Sequence, residues 1–314
     1  MTADLGATGP AALVAALATR LPPRFAVTVV AFATGPSTAV AALADAGVPV
    51  RVVRVRSRFD VRGLRGLRGE LTARRPAVLH LIGPAAARLA PLVTTRGVGL
   101  WPRPRVVVTA DPDPVPLEDT PPVDPARFRA AVNVPHDARL IIAGGRFDSA
   151  ADLRAAVWAF EVLKYPTPNL YLVLAGDGPG RGGVEAFARR LGFDDFRTRF
   201  AGPRSDLPAL FALAEAAWVT HAAGGGQTAV EAMNAGVPLM GFATPKLKAV
   251  VGDAGVLVPP GDHVALAAAT AAVLADPARA ASLATAGRER AGQFAAAGVA
   301  ARFAAVYDDG LTLP

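Results

Sequence analysis

Residues 170–191 read Leu-Tyr-Leu-Val-Leu-Ala-Gly-Asp-Gly-Pro-Gly-Arg-Gly-Gly-Val-Glu-Ala-Phe-Ala-Arg-Arg-Leu. The stretch begins with a continuous apolar run, turns at a cluster of glycines and continues as a helical segment. An apolar run that does not alternate with polar residues predicts a strand buried on both faces. Such strands, separated by helices, form parallel sheets that helices cover on both sides. The stretch therefore predicts a doubly wound α/β fold.

The same alternation continues through all 314 residues. Ten short apolar runs predict strands at 26–31, 48–55, 77–82, 105–109, 140–143, 170–175, 198–201, 217–220, 237–241 and 255–258. A chain of this length predicts two domains. Prolines make residues 110–135 the predicted linker. We therefore expect two Rossmann-like domains, at 1–133 and 134–314, with the last of three closing helices a candidate to return to the first domain.

Composition narrows the classes of function. The chain has no cysteine, which excludes disulfides, thiolate metal sites and a cysteine nucleophile and fits a cytoplasmic protein. The chain contains no uncharged apolar run of about 18 residues, the pattern that predicts a transmembrane helix. Residues 1–10 lack the basic and apolar regions of a signal peptide. No cluster of His, Asp and Glu has metal-ligand spacing, so we expect neither a metal nor a bound cofactor.

The positive charge is concentrated in one segment. Residues 51–75 contain nine arginines and two acidic residues. Their excess of +7 equals the net charge of the whole chain. Arg62, Arg65 and Arg68 recur every three residues and share one face of a predicted helix. Such a face is a candidate for peripheral contact with an anionic membrane, with a merely solvated face as the alternative. The segment has one aromatic residue and no nucleic-acid-binding module, so nucleic acid is not a predicted partner.

The glycines of the opening stretch allow two interpretations. Gly176 and Gly178 begin a G-x-G-x-x-G pattern, which in an NAD-dependent enzyme would place the pyrophosphate on the following helix. The pattern needs a third glycine at position 181, where this chain has Arg181. The alternative is a tight turn at the end of a parallel strand.

A second glycine motif precedes the predicted helix at 228–235. The sequence there is Ala222-Ala-Gly-Gly-Gly-Gln-Thr228. The first amides of a helix are unpaired and its dipole is positive at that end, so Gly225, Gly226, Gln227 and Thr228 are candidates to bind a phosphate. Glu231, about one turn further, is a candidate to bind a ribose hydroxyl. The alternative is a flexible turn followed by an exposed glutamate.

A third motif, Gly144-Gly145-Arg146, follows the predicted strand at 140–143. Ligands of open α/β sheets lie at the carboxyl ends of the strands. A guanidinium there suits a diphosphate, because its planar fork of donors matches phosphate oxygens. Arg146 is therefore a candidate diphosphate ligand, with an ordinary surface arginine as the alternative.

Taken together, these motifs resemble the retaining glycosyltransferases of the GT-B fold, the "glycosyl transferases group 1" type. The resemblance is carried in order by Arg146, Leu174-Ala-Gly-Asp-Gly-Pro, Phe200-Ala-Gly, Asp206-Leu-Pro-Ala-Leu, Glu231-Ala-Met-Asn-Ala-Gly-Val-Pro and Gly255-Val-Leu-Val-Pro-Pro-Gly-Asp. It implies that the C-terminal domain holds a nucleotide diphosphate-sugar such as a UDP- or GDP-sugar. It also implies hexosyl transfer to an acceptor hydroxyl with retained configuration, without a metal ion.

The resemblance assigns roles to single residues and exposes two departures. It implies that Arg146 binds the donor diphosphate and Glu231 the ribose. The family's second cation, a lysine five residues after the arginine, falls on Ala151, and its first glutamate falls on Ala223. A decayed relative that binds a nucleotide sugar or a partner without catalysis is therefore the alternative function. The candidates to replace the lysine are Arg154, Lys246 and Lys248.

The N-terminal half resembles the family less closely. Thr8-Gly9-Pro10 resembles the glycine-rich loop of the acceptor side and makes Gly9 a candidate contact. His80 and His221 are candidates for a catalytic role, each with a packed or solvated histidine as the alternative. The family has a strand before this loop, where only residues 1–5 stand here. We therefore expect a reduced N-terminal domain, with a start further upstream or a rearranged sheet.

Overall fold

The structure is a computed structural model that describes ten segments of the chain. They are residues 9–31, 38–53, 60–91, 104–109, 114–116, 122–147, 150–191, 196–204, 206–221 and 225–309. The chain divides into two compact units. Unit 1 comprises Met1–Val115 and Ala295–Pro314, and unit 2 comprises Pro116–Phe294.

Unit 1 contains two pairs of parallel strands and the helices packed on them. Its described elements are α1 (Gly9–Arg20), β1 (Val29–Ala31), α2 (Thr38–Asp45), β2 (Val50–Val52), α3 (Val61–Arg74), β3 (Val78–Ile82), α4 (Pro84–Ala87), β4 (Arg105–Thr109) and α13 (Ala296–Asp309). Strand β1 pairs with β2, and β3 pairs with β4. Leu67 and Leu71 of α3 pack with Leu79 and Leu81 of β3 in one core. Residues 1–5, which stand where the family has a strand before the first loop, lie outside the described residues.

Unit 2 is built on a six-stranded parallel sheet with the order β10-β9-β8-β5-β6-β7. Its described elements are α5 (Pro125–Ala131), β5 (Arg139–Arg146), α6 (Ala150–Lys164), β6 (Leu170–Asp177), α7 (Arg181–Leu191), β7 (Thr198–Gly202), α8 (Leu207–Phe211), β8 (Ala216–Val219), α9 (Gly225–Ala235), β9 (Leu239–Phe242), α10 (Pro245–Val251), β10 (Val256–Val258), α11 (His263–Leu274) and α12 (Pro277–Gly292). Each of the ten predicted runs overlaps one of the ten described strands, so the predicted α/β fold is confirmed.

The central strand β5 shows why the apolar runs are continuous. Leu140 and Ile142 are buried in the core on one face of the sheet. Ile141 and Ala143, which point the other way, are buried in the core on the opposite face. A strand with helices on both sides has no polar face, so its sequence does not alternate.

The first boundary between the units differs from the one expected at 133/134. It lies at Val115/Pro116, because the segment after the prolines folds with the second unit. Asp124 caps helix α5 by accepting from the amides of Ala126 and Arg127. Phe128 of this helix is 3% exposed and lies in the core of unit 2. The last helix, α13, belongs to unit 1.

Among the described residues, no single helix is long and apolar enough to cross a membrane. The segments His263–Leu274 and Pro277–Asp308, which are bent by 104° at the break between them, meet that test only as a pair and only by length and composition. Leu266 and Thr270 of the first segment are fully buried in this fold.

Candidate functional site

Strands β5 and β8, which are neighbours in the sheet of unit 2, bring candidate residues to one edge of that sheet. Strand β5 lies between β6 and β8, and β8 lies between β5 and β9. All are parallel, so their carboxyl ends share the same edge. Arg146 ends β5, and His221 follows the end of β8. This edge is where open α/β sheets bind ligands.

Gly145 is in direct contact with the segment that follows β8. A Cβ atom built on Gly145 would lie 2.7 Å from Nε2 of His221 and 3.1 Å from the hydroxyl oxygen of Thr228. The first distance is too short for a side chain and the second is tight, and the φ of Gly145 is +127°, which side chains rarely adopt. The backbone beside Arg146 therefore touches the first turn of α9. The backbone of the arginine and the predicted phosphate-binding residues therefore lie at the same edge of the sheet.

The first turn of α9 is closely packed at its glycines. A Cβ on Gly225 would lie 2.7 Å from Cγ1 of Val219, so this residue fits only as glycine against the end of β8. The first turn contains no acidic residue. Its unpaired amides and the positive end of the helix dipole favour an anion. Ala223, the position of the family's first glutamate, lies outside the described residues.

Glu231 is buried and holds a hydrogen bond within the same helix. The amide Nε2 of Gln227 donates to Oε1 of Glu231 at 2.8 Å. Only 6% of Glu231 is exposed, and burial raises its pKa from 4.5 to about 7, against the opposing effect of the bond from Gln227. The alternative interpretation, which predicted an exposed glutamate, is therefore wrong at this residue. A carboxyl whose pKa is near neutrality, next to a residue predicted to bind a phosphate, has the character of a functional residue.

The glycines at the end of β6 and in the turn after it pack closely against the backbone at the end of β5. A Cβ on Gly176 would clash with the carbonyl oxygen of Gly145, and one on Gly178 would lie 2.6 Å from the carbonyl oxygen of Phe147. The amide of Gly180 donates to that same oxygen at 2.8 Å. These glycines let the turn pack against the end of β5, which favours the tight-turn interpretation over dinucleotide binding.

The cation expected at position 151 has an exposed alanine in its place, near the start of α6. Two of the three candidate replacements lie elsewhere or point outwards. The guanidinium of Arg154 lies over the ring of Phe187, 5.4 Å from its centre, and Lys248 is exposed on α10. Lys246 lies against α9, with Cε 3.5 Å from a Cβ built on Gly226.

The residues predicted in unit 1 take structural positions. The Nδ1 atom of His80 is 2.6 Å from the hydroxyl of Tyr307, and Nε2 is 2.8 Å from the hydroxyl of Thr109. Burial lowers the pKa of His80 to about 3, so its ring is neutral. This geometry favours the packed alternative, in which His80 fastens α13 to β3 and β4. Gly9 is the first residue of α1.

Sequence reasoning did not single out two residues of this edge. Gly145 was quoted only as part of a motif, although a glycine directly before a functional arginine is a signal of close backbone approach. Lys246 was only one of three candidates to replace the family's lysine. Its contact with Gly226 joins the helix after β9 to the helix after β8. No local pattern reports that contact.

Comparisons with known proteins identify the family of the chain. The family described as "Glycosyl transferases group 1" matches residues 124–290, more than half of the chain. The chain belongs to this family. It is a glycosyltransferase, and transferases of this family generally need no cofactor beyond the nucleotide-sugar donor. Among the described residues, no group of three His, Asp or Glu side chains could hold a metal ion.

Several solved glycosyltransferases have the same GT-B fold with Rossmann-like domains. HepE of Anabaena, solved with UDP and glucose, has a TM-score of 0.74 and 19% identity over 98% of both chains. A glycosyltransferase from Rickettsia africae has a TM-score of 0.74 and 13% identity over 100% of this chain and 98% of its own. WaaG, a glycosyltransferase involved in lipopolysaccharide biosynthesis, has a TM-score of 0.67 and 14% identity over 98% and 99%. Among curated proteins, none matches the chain significantly.

The contact at Gly145 predicts the effect of a single methyl group. Gly145→Ala should lower the free energy of unfolding by on the order of 2–4 kcal/mol, because the methyl group meets His221 and the backbone is strained. Gly182→Ala is the matched control, since Gly182 lies in helix α7 with nothing within 4 Å of an added Cβ. Urea unfolding compares the two. Equal stability of both variants would show that Gly145 does not set this contact.

Burial of Glu231 predicts a pH-dependent stability. Below about pH 4.5 the carboxyl is protonated in both states, whereas between about pH 4.5 and 7 only the unfolded state releases the proton. Stability is therefore lost as the pH rises through this window, by on the order of 3 kcal/mol. Glu231→Gln should remove that loss, so its gain over the wild type should grow from pH 5 to pH 8 in urea unfolding. Glu289→Gln, at an exposed position, should show no such growth.

Proposed function

We propose that this glycosyltransferase moves a hexosyl group from a nucleotide diphosphate-sugar to an acceptor hydroxyl with retained configuration. The observation that carries the proposal is the contact of Gly145 with His221 and Thr228. It sets the backbone of Arg146 beside the first turn of α9. In the proposed site the guanidinium of Arg146 and the first amides of α9 would bind the same diphosphate.

The proposed chemistry requires stabilisation of the leaving diphosphate. The bond between the anomeric carbon and a phosphate oxygen breaks, the acceptor oxygen forms its bond on the same face of the sugar, and the proton of the acceptor hydroxyl passes to the released diphosphate. Negative charge grows on the diphosphate during this step. Arg146 and the amides at Gly225 and Gly226 would stabilise that charge more in the transition state than in the bound donor.

Glu231 supplies the proposed contact with the ribose. Its carboxyl lies in the second turn of α9, beyond the amides assigned to the phosphates. Ribose hydroxyls would donate to the carboxylate, so its ionised form binds best. With a pKa of about 7, donor binding should strengthen as the pH rises through neutrality.

The base and the sugar of the donor are part of the proposal. HepE, with the same fold, has been solved with UDP and with UDP-glucose. This makes a UDP-sugar the first donor to test, ahead of GDP- and ADP-sugars.

We predict that the wild-type protein binds one of UDP, GDP and ADP in isothermal titration calorimetry. Arg146→Ala should weaken that binding by about ten- to hundredfold, because one charged hydrogen-bond donor to the phosphates is lost. Arg154→Ala is the matched control, since its guanidinium lies over Phe187, and should bind like the wild type. Absence of binding to all three nucleotides by the wild type would contradict the proposal.

The observation at position 151 favours a second candidate function. An exposed alanine replaces the family's second cation near the start of α6, and the family's first glutamate is replaced by Ala223. A decayed relative would bind the nucleotide sugar without transferring it. Binding of a donor without turnover, in the presence of candidate acceptors, would establish this second function.

We further propose that the protein acts in the cytoplasm and contacts anionic membrane lipid through α3. Arg62, Arg65 and Arg68 are exposed on this helix. Leu67 and Leu71, on its other face, are buried in the core of unit 1. Since the apolar face is already covered, the contact would be electrostatic and would not insert side chains between lipid chains.

The membrane proposal predicts salt-sensitive binding to vesicles. In a sedimentation assay with vesicles of phosphatidylglycerol and phosphatidylcholine, the protein should bind at low salt and dissociate as salt screens the charges. Replacing Arg62, Arg65 and Arg68 together by Gln should abolish binding, since each contributes about 1 kcal/mol. Replacing the exposed pair Arg189 and Arg190 of α7 is the control. Equal binding of all three proteins would exclude this face.

A further inference from the structure

Helix α6 presents a row of large side chains to solvent. Arg154, Trp158 and Val162 follow one another at intervals of four residues, and Tyr165 comes directly after the end of the helix. Residues three and four apart are neighbours on one face of a helix. Trp158, Val162 and Tyr165 are 42%, 47% and 75% exposed. We call these four residues the α6 stripe.

The neighbouring helix α11 continues this surface without charge. The ring of His263, its first residue, lies 5.8 Å from the ring of Trp158. The helix contains no Asp, Glu, Lys or Arg, and its Val264 is 58% exposed. Four of the five exposed large apolar side chains of the described segments therefore lie in the α6 stripe or on α11. Such a concentration is typical of an interaction surface.

The order of residues in the α6 stripe makes it complementary to a second copy of itself. The midpoint between Trp158 and Val162 lies at residue 160, and Arg154 and Tyr165 have nearly the same midpoint. If two copies of α6 pack antiparallel about a two-fold axis at this point, Trp158 of each faces Val162 of the other. Each copy of Arg154 then faces Tyr165 of the other copy.

The pairing of Arg154 with Tyr165 is chemically favourable. A planar guanidinium stacks on aromatic rings, and Arg154 already lies over the ring of Phe187, 5.4 Å from its centre. The opposite face of the guanidinium would meet the ring of Tyr165. The two copies of Arg154 stand at opposite ends of the shared surface, about 18 Å apart along the helices. Exposed charges interact weakly beyond about 10 Å at ordinary salt, so the two arginines do not oppose the pairing.

The size of the surface indicates a reversible dimer. Helices of 12 to 15 residues are about 18–22 Å long and pack about 10 Å apart. The outer faces of α6 and α11 therefore cover roughly 400 Å² on each copy. Stable interfaces of standard size bury about 800 Å² on each partner, and smaller ones belong to transient complexes.

We propose that the protein forms a reversible homodimer through the α6 stripe, with α11 of one copy beside α11 of the other. Each copy contributes the same surface, so the contact is complete in a dimer and does not extend into a filament. A lipid surface is the other candidate to cover these side chains. It would favour exposed aromatic residues in any order, whereas the order found here matches a two-fold axis.

The test places opposite charges close to the proposed axis. In sedimentation equilibrium the wild-type chain of 32.1 kDa should show a mass that rises towards twice this value with concentration. Val162→Glu and Val162→Lys should each weaken dimerisation by about tenfold or more, because like charges meet in a surface that excludes water. An equimolar mixture of the two variants should associate again, since the glutamate of one copy meets the lysine of the other. That recovery also shows that both variants are folded.

The matched control is Val52→Glu, because Val52 is 52% exposed on β2 of unit 1, outside the proposed surface. This variant should dimerise like the wild type. A wild type that stays monomeric at every concentration overturns the proposal, and so does a mixture of the two Val162 variants that remains monomeric. A monomeric wild type that binds phosphatidylcholine vesicles, when Val162→Glu does not, assigns the surface to lipid and also overturns the proposal.

Discussion

The close approach of Gly145 to His221 and Thr228 is the constraint on which the candidate site depends. Parallel strands bring their carboxyl ends to one edge, but they do not decide how near the following helix comes to the neighbouring strand. Here that distance is set by the absence of a side chain at residue 145. In our proposal the helix amides and Arg146 share one ligand, and a side chain at residue 145 would push His221 and Thr228 away from β5. The proposed diphosphate site therefore depends on Gly145, although our proposal gives this residue no contact with the donor.

A second set of glycines holds the same strand from its other side. The turn after β6 packs against the carbonyl oxygens of Gly145 and Phe147, at Gly176 and Gly178 respectively. A hydrogen bond from the amide of Gly180 adds to this contact. The end of β5 is therefore fixed between β6 and α9. The glycines that most resembled a dinucleotide motif are thus explained by their packing against β5, which is consistent with Arg181 standing where that motif needs a glycine.

The strands were predictable from the sequence because burial on both faces leaves continuous apolar runs, as at 140–143 and 170–175. The position of the site followed from the rule that ligands bind at the carboxyl ends of strands. The boundary at Val115/Pro116 was not predictable, because the prolines before Asp124 conceal a helix that buries Phe128. The burial of Glu231 was missed for another reason. Its neighbours in the sequence are small, whereas its exclusion from water is produced by the packing of α9 within unit 2. Contacts between distant segments leave no periodic signal.

The energetics of Glu231 bear on whether the site is active or decayed. Burial raises the pKa of this carboxyl to about 7, and one hydrogen bond from Gln227 opposes the shift without cancelling it. The ionised side chain therefore destabilises the fold at neutral pH, and an apolar residue of similar size would not. Such a cost is typical of residues retained for binding or catalysis. Ala151 alone does not outweigh it, because the charge required at a diphosphate can come from any side chain that reaches it. The departure at position 151 therefore does not decide between an active and a decayed site.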